Sequence, residues 1–380
     1  MSPYLTLDDV DVAGLAVLVR SDLNVPLDGG AVADDFRIEA ALPTLERLVD
    51  SGARVTVCSH LGRPQGVDPA YSLRPVAARM AELSSKAVVF EDEEEGQIRV
   101  LENTRFLPGE TNNDPALANR LATGVDLFVQ DAFGSVHRAH ASTVGVAERV
   151  KSVAGPLLDA ELKALGRFLE EPDRPYSLVL GGAKISDKLA VIQNLLPRAD
   201  AILVGGGMCF TLLAAKGIEV GDSLVEPEMI QSVKGLLQGY DEEKIILPSD
   251  MVVAEAFRED AAAETVYIRH IPEGTIGLDI GKETGAMFAG VIRDSNTVFW
   301  NGPMGVFEWE RFRTGTERIA HAMAETSGFT AVGGGDSVAA LRMLGLQGEV
   351  DHVSTGGGAG LELLEGRILP GVEVLGRWTQ

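Results

Sequence analysis

Residues 179–188, VLGGAKISDK, put two ammonium groups beside a pair of glycines. An apolar run at 177–180, preceded by Arg174-Pro175, breaks at Gly181-Gly182 and carries on into Lys184, Asp187 and Lys188. A helix beginning near Ala183 would set Lys184 and Lys188, four apart, on one face. Strand, glycine turn and helix start together make a place for anionic oxygens. Glycine admits close backbone approach, amide N–H groups point outward, and the ammonium groups add charge. A surface turn with two solvated lysines fits the same ten residues, so the rest of the chain must decide.

The first half holds a different set of cationic groups. Arg20, Asp22 and Asn24 follow the apolar run 16–19 (RSDLNVP), and His60 and Arg63 follow 55–57 (SHLGRP). Arg37 lies in DDFRI, Arg105 in ENTRF after RVLEN, and Asp131 and His137-Arg138 follow 127–129. The first 150 residues contain twelve arginines and one lysine. Ligands of open α/β sheets bind outside the carboxyl ends of the strands. A planar guanidinium clamps a carboxylate or a phosphate through two bonds. The set predicts a basic pocket for a small, multiply charged anion. Taken singly, each arginine also fits a surface ion pair, and Asp22 and Asn24 fit turn residues before Pro26. His137 and His140 have HxxH spacing, but a zinc site needs further ligands at suitable spacing and none is evident.

The second half repeats strand-like runs that end in glycine. Runs at 201–204, 297–300, 330–332 and 352–354 lead into Gly205-Gly206-Gly207, Asn301-Gly302-Pro303, Gly333-Gly334-Gly335-Asp336-Ser337 and Thr355-Gly356-Gly357-Gly358. A run at 245–247 leads into Pro248-Ser249-Asp250. Unobstructed N–H groups in such loops suit a polyphosphate, and Asp336 is placed to hold magnesium directly or through water. Tight strand–helix packing accounts for some of these glycines in any α/β protein. Neither GxxxxGK[ST] nor GxGxxG with a following acidic residue occurs.

The elements that must position these groups follow from the pattern. The continuous apolar runs 16–19 and 55–57 read as strands buried on both faces. Between them 38–49 has helical spacing, with Pro43 early and Ser51-Gly52 as the stop. Further strands are expected at 88–90 and 127–129, and helices at 75–83 and 115–121. Residues 157–169 form a helical pattern long enough to join two domains, and helical patterns such as 315–325 fill the gaps of the second half. The expected class is α/β. It comprises two Rossmann-like domains, each a parallel sheet flanked by helices, joined by a hinge with an interdomain helix.

Bulk properties narrow the function. At 380 residues and 45% apolar content the chain can build two cores. A net charge of −23 argues against nonspecific nucleic-acid binding and against an anionic membrane surface. It fits a very soluble protein, or one from a salt-rich cytoplasm; a biased genome equally explains 24 arginines to 9 lysines. Cys58 and Cys209 each sit in an apolar run, which points to a reduced compartment without a disulfide. Cys58 precedes Ser59 and His60 and could be a nucleophile, although a buried strand-end thiol explains it better. The acidic N-terminus lacks a signal-peptide shape, and no apolar run is long enough to span a membrane, so the cytoplasm is expected.

Two anion sites of different chemistry imply transfer between two ligands. Taken in order, RSDLNVPL, DDFRI, SHLGRP, ENTRF, DAFGSVHRAHAST, LGGAKISDK, WNGPMGVFE, VGGGDS and STGGGAGLELLEG closely resemble the phosphoglycerate kinase family, over about residues 17–372. The resemblance implies a glycolytic hinge enzyme that moves a phosphoryl group reversibly from 1,3-bisphosphoglycerate to ADP, with magnesium. It implies a phosphoglycerate-binding domain over 1–156, a nucleotide-binding domain over 157–364, and a tail, 365–380, packed back on the first. Substrate positions would be Asp22, Asn24, Arg37, His60, Leu61, Gly62, Arg63, Arg105 and Arg138. Nucleotide positions would be Lys188, Gly207, Pro303, Glu308, Gly334, Gly335, Asp336 and Ser337, with Asp336 touching the metal and Gly356, Gly357 and Gly358 forming a phosphate loop. Arg37, Lys184 and Lys188 would serve catalysis, and the partners would be small molecules only, on a monomer.

Two departures from the family pattern stand out. Ser21 replaces the usual valine, and 88–100 is shorter by about one helix, leaving EDEEEGQ as a bare turn between strands. Another kinase that makes acyl phosphates would share the glycines and lysines but would not need the arginine and histidine set. A non-catalytic binding protein on this fold would not need Arg37 and Lys188 intact.

Overall fold

The apolar run before Arg20 forms β1 (Ala16–Arg20), of which the last four residues are buried. The computed structural model describes residues 4–91, 93, 95–238 and 242–378, and the chain divides into two compact units. One holds the chain up to Lys163 together with the stretch from Ile368 onward; the other is Ala164–Arg367.

In the first unit a two-residue hairpin pairs β2 (Leu27–Asp28) with β3 (Ala31–Val32). The main sheet adds β4 (Arg54–Cys58), β5 (Val88–Phe90), β6 (Ile98–Val100), β7 (Leu127–Gln130) and β8 (Ser152–Ala154). Its order is β5-β6-β4-β1-β7-β8, with every pairing parallel. Val17 lies opposite Val55 on one side and Leu127 on the other, so β1 is central and covered on both faces. Helix Phe36–Asp50 buries Ile38, Leu42, Leu45 and Leu48 at helical spacing. Because all strands run the same way, the loops after β1, β4 and β7 emerge at one edge. The connections after β1 and β7 leave in opposite directions, and such a switch point opens a crevice for ligand.

β5 and β6 are parallel, with Val88 opposite Ile98. The chain returns between them without a helix among the described residues of 91–97; Asp92 and Glu94 lie outside those described. The tail from Ile368 belongs to this unit. Gly371 N donates to Val136 O at 2.9 Å, and Trp378 Nε1 donates to Ala147 O at 3.0 Å.

The second unit is built on β9 (Tyr176–Leu180), β10 (Ala201–Val204) and β11 (Ile245–Ile246). A separate antiparallel sheet, which the sequence reading missed by assigning helices to the gaps, contains β12 (Asp250–Ala254), β13 (Glu264–Tyr267) and β14 (Ile276–Ile280). Gly277 and Asp279 interrupt the apolar pattern of β14, and β13 is a mostly exposed edge, so neither carries a strong strand signal. The parallel sheet is completed by β15 (Thr297–Asn301), β16 (Phe329–Gly333) and β17 (His352–Val353), in the order β11-β10-β9-β15-β16-β17. The switch point lies between β9 and β15, whose Leu180 and Asn301 are in register. Phe168 packs beneath this sheet against Tyr176, Phe299 and Phe329, with ring centroids 5.3 to 5.8 Å apart.

Two helices differ from expectation. The one expected over 157–169 runs Pro156–Gly166 and stops at its glycine, leaving 167–169 as a turn. The one expected from Ala183 begins at Leu189. Among the described residues no helix is long and apolar enough to cross a membrane.

Candidate active site

In the first unit the strand-end loops gather guanidinium groups around two histidines. Arg37, in the first turn of helix Phe36–Asp50, bonds the Asp22 carboxylate. Asn24 Oδ1 accepts from Gly62 N at 2.8 Å, so the loop after β1 is tied to the loop after β4. Leu61 is clasped by Asn103, which receives its N–H and donates to its carbonyl at 2.8 Å. Arg105 Nη1 donates to Gly62 O. Arg63 is exposed, and Arg138 is half-buried with Nε donating to His137 Nε2 at 3.0 Å.

The electrostatics show how close these cations stand. Burial lowers the Arg105 guanidinium to about 10, helped by Arg138, Arg20 and Arg63. Burial likewise holds His140 at about 4, with Arg105, Arg20, Arg138 and His137 adding to it. His60 is held well below its usual range, by burial first and then by Arg20, Arg105, His140 and Arg37. Arg105 Nε is buried without a hydrogen-bond partner among the described residues. Clustered like charges with an orphaned donor among them cost free energy unless an anion completes the site.

Behind this surface lies support that the sequence reading did not assign. Arg20, noted at its strand end but left out of the site set, is fully buried. It donates to Ser142 Oγ at 3.0 Å and to Ser21 O at 2.6 Å, and its Nη2 lies 3.0 Å from His60 Nδ1. Glu110 accepts from Ser142 N and Oγ and faces His140 Nδ1 at 3.9 Å. In the sequence His140 stands out only through its HxxH spacing with His137. Asn103 and Ser142 could have been suspected from their places in ENTRF and DAFGSVHRAHAST; Glu110 carries no local signal. Cys58 is buried with its thiol pushed up to about 12 by that burial, which disqualifies it as a nucleophile at neutral pH.

In the second unit, parallel strands bring Gly181, Gly205, Gly302 and Gly334 to one edge. The expectation of outward-pointing amides is not met at Gly181, Gly182, Gly205 and Gly206. Gly181 N donates to Asn301 O, Gly182 N to Pro303 O, Gly205 N to Leu180 O and Gly206 N to Met304 O, all within 2.9 to 3.1 Å. Ile185 N and Ser186 N both donate to Glu226. These loops pack on one another, and glycine permits the approach: a Cβ on Gly302, at φ +97°, would lie 2.3 Å from Gly181 O. Two lysine side chains stand beside these packed loops. Lys184 is exposed and Lys188 nearly buried, its Nζ close to Gly182. Because the helix starts only at Leu189, the two lysines sit on an irregular loop and do not share a helix face. Burial pulls the Lys188 ammonium below the usual lysine range, and Asp187 and Asp336 oppose that shift.

Beside this edge is a largely apolar cavity of about 330 Å³. Gly207, Pro303, Glu308 and Asp336 line it, as expected from sequence for a nucleotide site. The unassigned residues Phe210, Leu224, Met251, Phe257, Leu278 and Val306 supply the apolar wall, of a size and character suited to a planar base. Gly334 and Gly335 open helix Gly335–Met343 outside the cavity lining, and Ser337 is buried with its Oγ accepting from Gly302 N at 2.6 Å. Gly357 and Gly358 are exposed at the start of helix Gly358–Leu364, and Gly356 N donates to Ser354 Oγ. Asp336, in a first helical turn on the cavity rim, offers one carboxylate. That fits magnesium, which keeps several waters and takes one or two carboxylates together with phosphate oxygens.

A cluster of arginines for a small anion, and lysines beside a base-sized cavity, define a phosphotransferase of the α/β class. The comparisons make this specific. The family model for phosphoglycerate kinase matches residues 7–367. A phosphoglycerate kinase of Salinispora tropica is 53% identical, over 97% of this chain and 98% of the relative. One of Rubrobacter xylanophilus is 52% identical, over 97% of each. The solved structure of phosphoglycerate kinase from Coxiella burnetii superposes with a TM-score of 0.92 at 40% identity, covering 100% of both chains. The chain belongs to the phosphoglycerate kinase family. It is a glycolytic phosphotransferase with a carboxylate as acceptor, moving a phosphoryl group reversibly between 1,3-bisphosphoglycerate and ADP, with magnesium.

Proposed function

We propose that the first unit binds 3-phosphoglycerate or 1,3-bisphosphoglycerate and the second binds ADP or ATP. Asp22, Asn24, Arg37, His60, Leu61, Gly62, Arg63, Arg105 and Arg138 hold the first ligand. Lys188, Gly207, Pro303, Glu308, Gly334, Gly335, Asp336 and Ser337 hold the second, with Gly356–Gly358 as a phosphate loop. The observation that carries this reading is Arg105, whose buried, partnerless Nε sits among like charges. A phosphate or carboxylate oxygen supplies both the missing acceptor and the missing negative charge.

The chemistry needs no general base, because the acceptor carboxylate is ionised at neutral pH. What remains is alignment and neutralisation of charge on the moving phosphoryl oxygens. Arg37, Lys184 and Lys188 take that role in this proposal. Asp336 would hold magnesium, which would supply further positive charge to the nucleotide phosphates. Closure of the two units brings the ligands in line and keeps water from the acyl phosphate. The protein works in this reading as a cytoplasmic monomer. The test is coupled turnover in the ATP-forming direction, with nucleotide affinity measured separately. Arg37→Ala is expected to abolish turnover and leave nucleotide affinity within about twofold, because Arg37 serves the transfer and the first ligand and not the nucleotide. Equal loss in both quantities would refute the assignment.

A further inference from the structure

Glu226 lies forty residues from the lysine loop in sequence and is held against it in space. Its Oε2 accepts from Ile185 N at 2.6 Å and from Ser186 N at 3.2 Å, and its Oε1 accepts from Ser186 Oγ at 2.5 Å. The residue is buried. Its own N–H donates to Thr211 Oγ1 at 3.1 Å, and Thr211 is buried in helix Met208–Ala215, which follows the Gly205–Gly207 turn. Met208 N in turn donates to Gly182 O at 3.0 Å. The carboxylate thus closes a circuit that runs from 182 to 208, along the helix to Thr211, through Glu226 and back to 185–186.

A carboxylate beside an anion site needs a reason, since it repels the very charge the site must attract. Burial raises its proton affinity, but both of its oxygens are engaged by loop donors, and those bonds, with a smaller part from Lys184, hold it below the usual glutamate range. The clasp also decides where the lysines stand. Ile185 O accepts from both Lys188 N and Leu189 N at 3.0 and 2.9 Å, so the residue fixed by Glu226 is the one from which Lys188 and the helix begin. Without the clasp, 183–188 is an irregular loop with two glycines before it.

We propose that Glu226 is a positioning residue for phosphoryl transfer, clamping Ile185 and Ser186 so that Lys184 and Lys188 meet the phosphoryl oxygens. This rests on the reading that Lys188 serves catalysis, and the experiment separates the two. Glu226→Ala, Glu226→Gln, Lys188→Ala and the double variant Glu226→Ala/Lys188→Ala are compared for kcat, for ADP affinity by calorimetry, and for Tm. Glu226→Ala should lower kcat on the order of tenfold with ADP affinity within about twofold, since small displacements of aligned groups are costly. Glu226→Gln should restore most of the rate. Its Oε1 can receive the two amides, and its Nε2 can donate to Ser186 Oγ, which reverses that bond without breaking it. In the Lys188→Ala background the Glu226→Ala change should cost less than it does in the wild type, because one of the two groups it positions is gone.

A purely structural residue would lower Tm and leave the kcat of folded protein unchanged, and that result overturns the proposal. An undiminished loss in the Lys188→Ala background overturns it too. Full turnover in Lys188→Ala alone would refute the catalytic reading of the lysine, and with it the clamp as stated. If Glu226→Ala fails to fold, Glu226→Gln against Glu226→Asp decides. The shorter side chain should be the slower variant, and equal rates would refute positioning.

Discussion

Replacing Gly302 by alanine tests whether the glycines of the second unit serve loop packing rather than anion contact. The added Cβ would lie 2.3 Å from Gly181 O, 2.5 Å from Gly181 C and 3.0 Å from Gly182 N. All three are backbone atoms, so no side chain can swing away. Restoring ordinary contact requires a displacement of about 1 Å between the two loops. Gly302 also has φ +97°, where an L-residue costs about 1 to 2 kcal/mol on its own. The displaced loops carry Pro303, which lines the cavity, and Gly182, which lies against Lys188 Nζ. A shift of that size at aligned groups is worth on the order of 10²-fold in kcat. Gly345 provides the control: it has φ +70° with nothing within 4 Å of a Cβ, so Gly345→Ala carries backbone strain without a clash. Steady-state turnover and calorimetric Tm would be measured on both. Gly302→Ala should lose about two orders of magnitude in kcat, whereas Gly345→Ala should lose only stability. Turnover of Gly302→Ala within twofold of the wild type, with a Tm loss matching the control, would refute the packing argument.

Two further outcomes follow from the first unit. Arg105→Lys keeps the charge and removes the partnerless Nε donor, so the KM for 3-phosphoglycerate should rise on the order of tenfold while that for ATP stays within about twofold; an equal rise in both would contradict an anion contact. His140 is held at about 4 in the folded protein and takes a proton near 6.5 when unfolded. Between those values the unfolded chain binds more protons, so the His140 contribution is neutral above about pH 6.5 and destabilises progressively as pH falls toward 4. Urea midpoints at about pH 7.5 and about pH 5 should therefore drop more in the wild type than in His140→Gln, and parallel drops would refute the shift.

What could be read from the sequence depended on whether a residue's role was set by its neighbours in the chain. His60 and Arg105 follow apolar runs, and the rule that ligands gather at carboxyl ends of parallel strands brings them together without any coordinate, whereas Arg37 opens a helix that periodicity locates. The apolar runs at 16–19 and 201–204 became β1 and β10 because central parallel strands are buried on both faces and need no alternation. The β12–β14 sheet was lost where that signal fails, since Gly277 and Asp279 break the pattern of β14 and β13 is exposed. The glycine loops show a subtler limit. Glycine in the sequence states only that a side chain is excluded, and a neighbouring backbone excludes it as firmly as a phosphate does. At Gly302 the excluding atom is Gly181 O, and the amides of Gly181, Gly182, Gly205 and Gly206 close hydrogen bonds between strand-end loops. With those amides engaged, Lys184 and Lys188 bring positive charge to this edge, and the helix after them begins later than their i, i+4 spacing suggests. The residue that replaces helical geometry in placing them is Glu226, and nothing within its own stretch of chain marks it. Local spacing therefore locates the groups that carry charge, whereas the groups that aim them arrive from distant loops and become legible only when the sheet order is known.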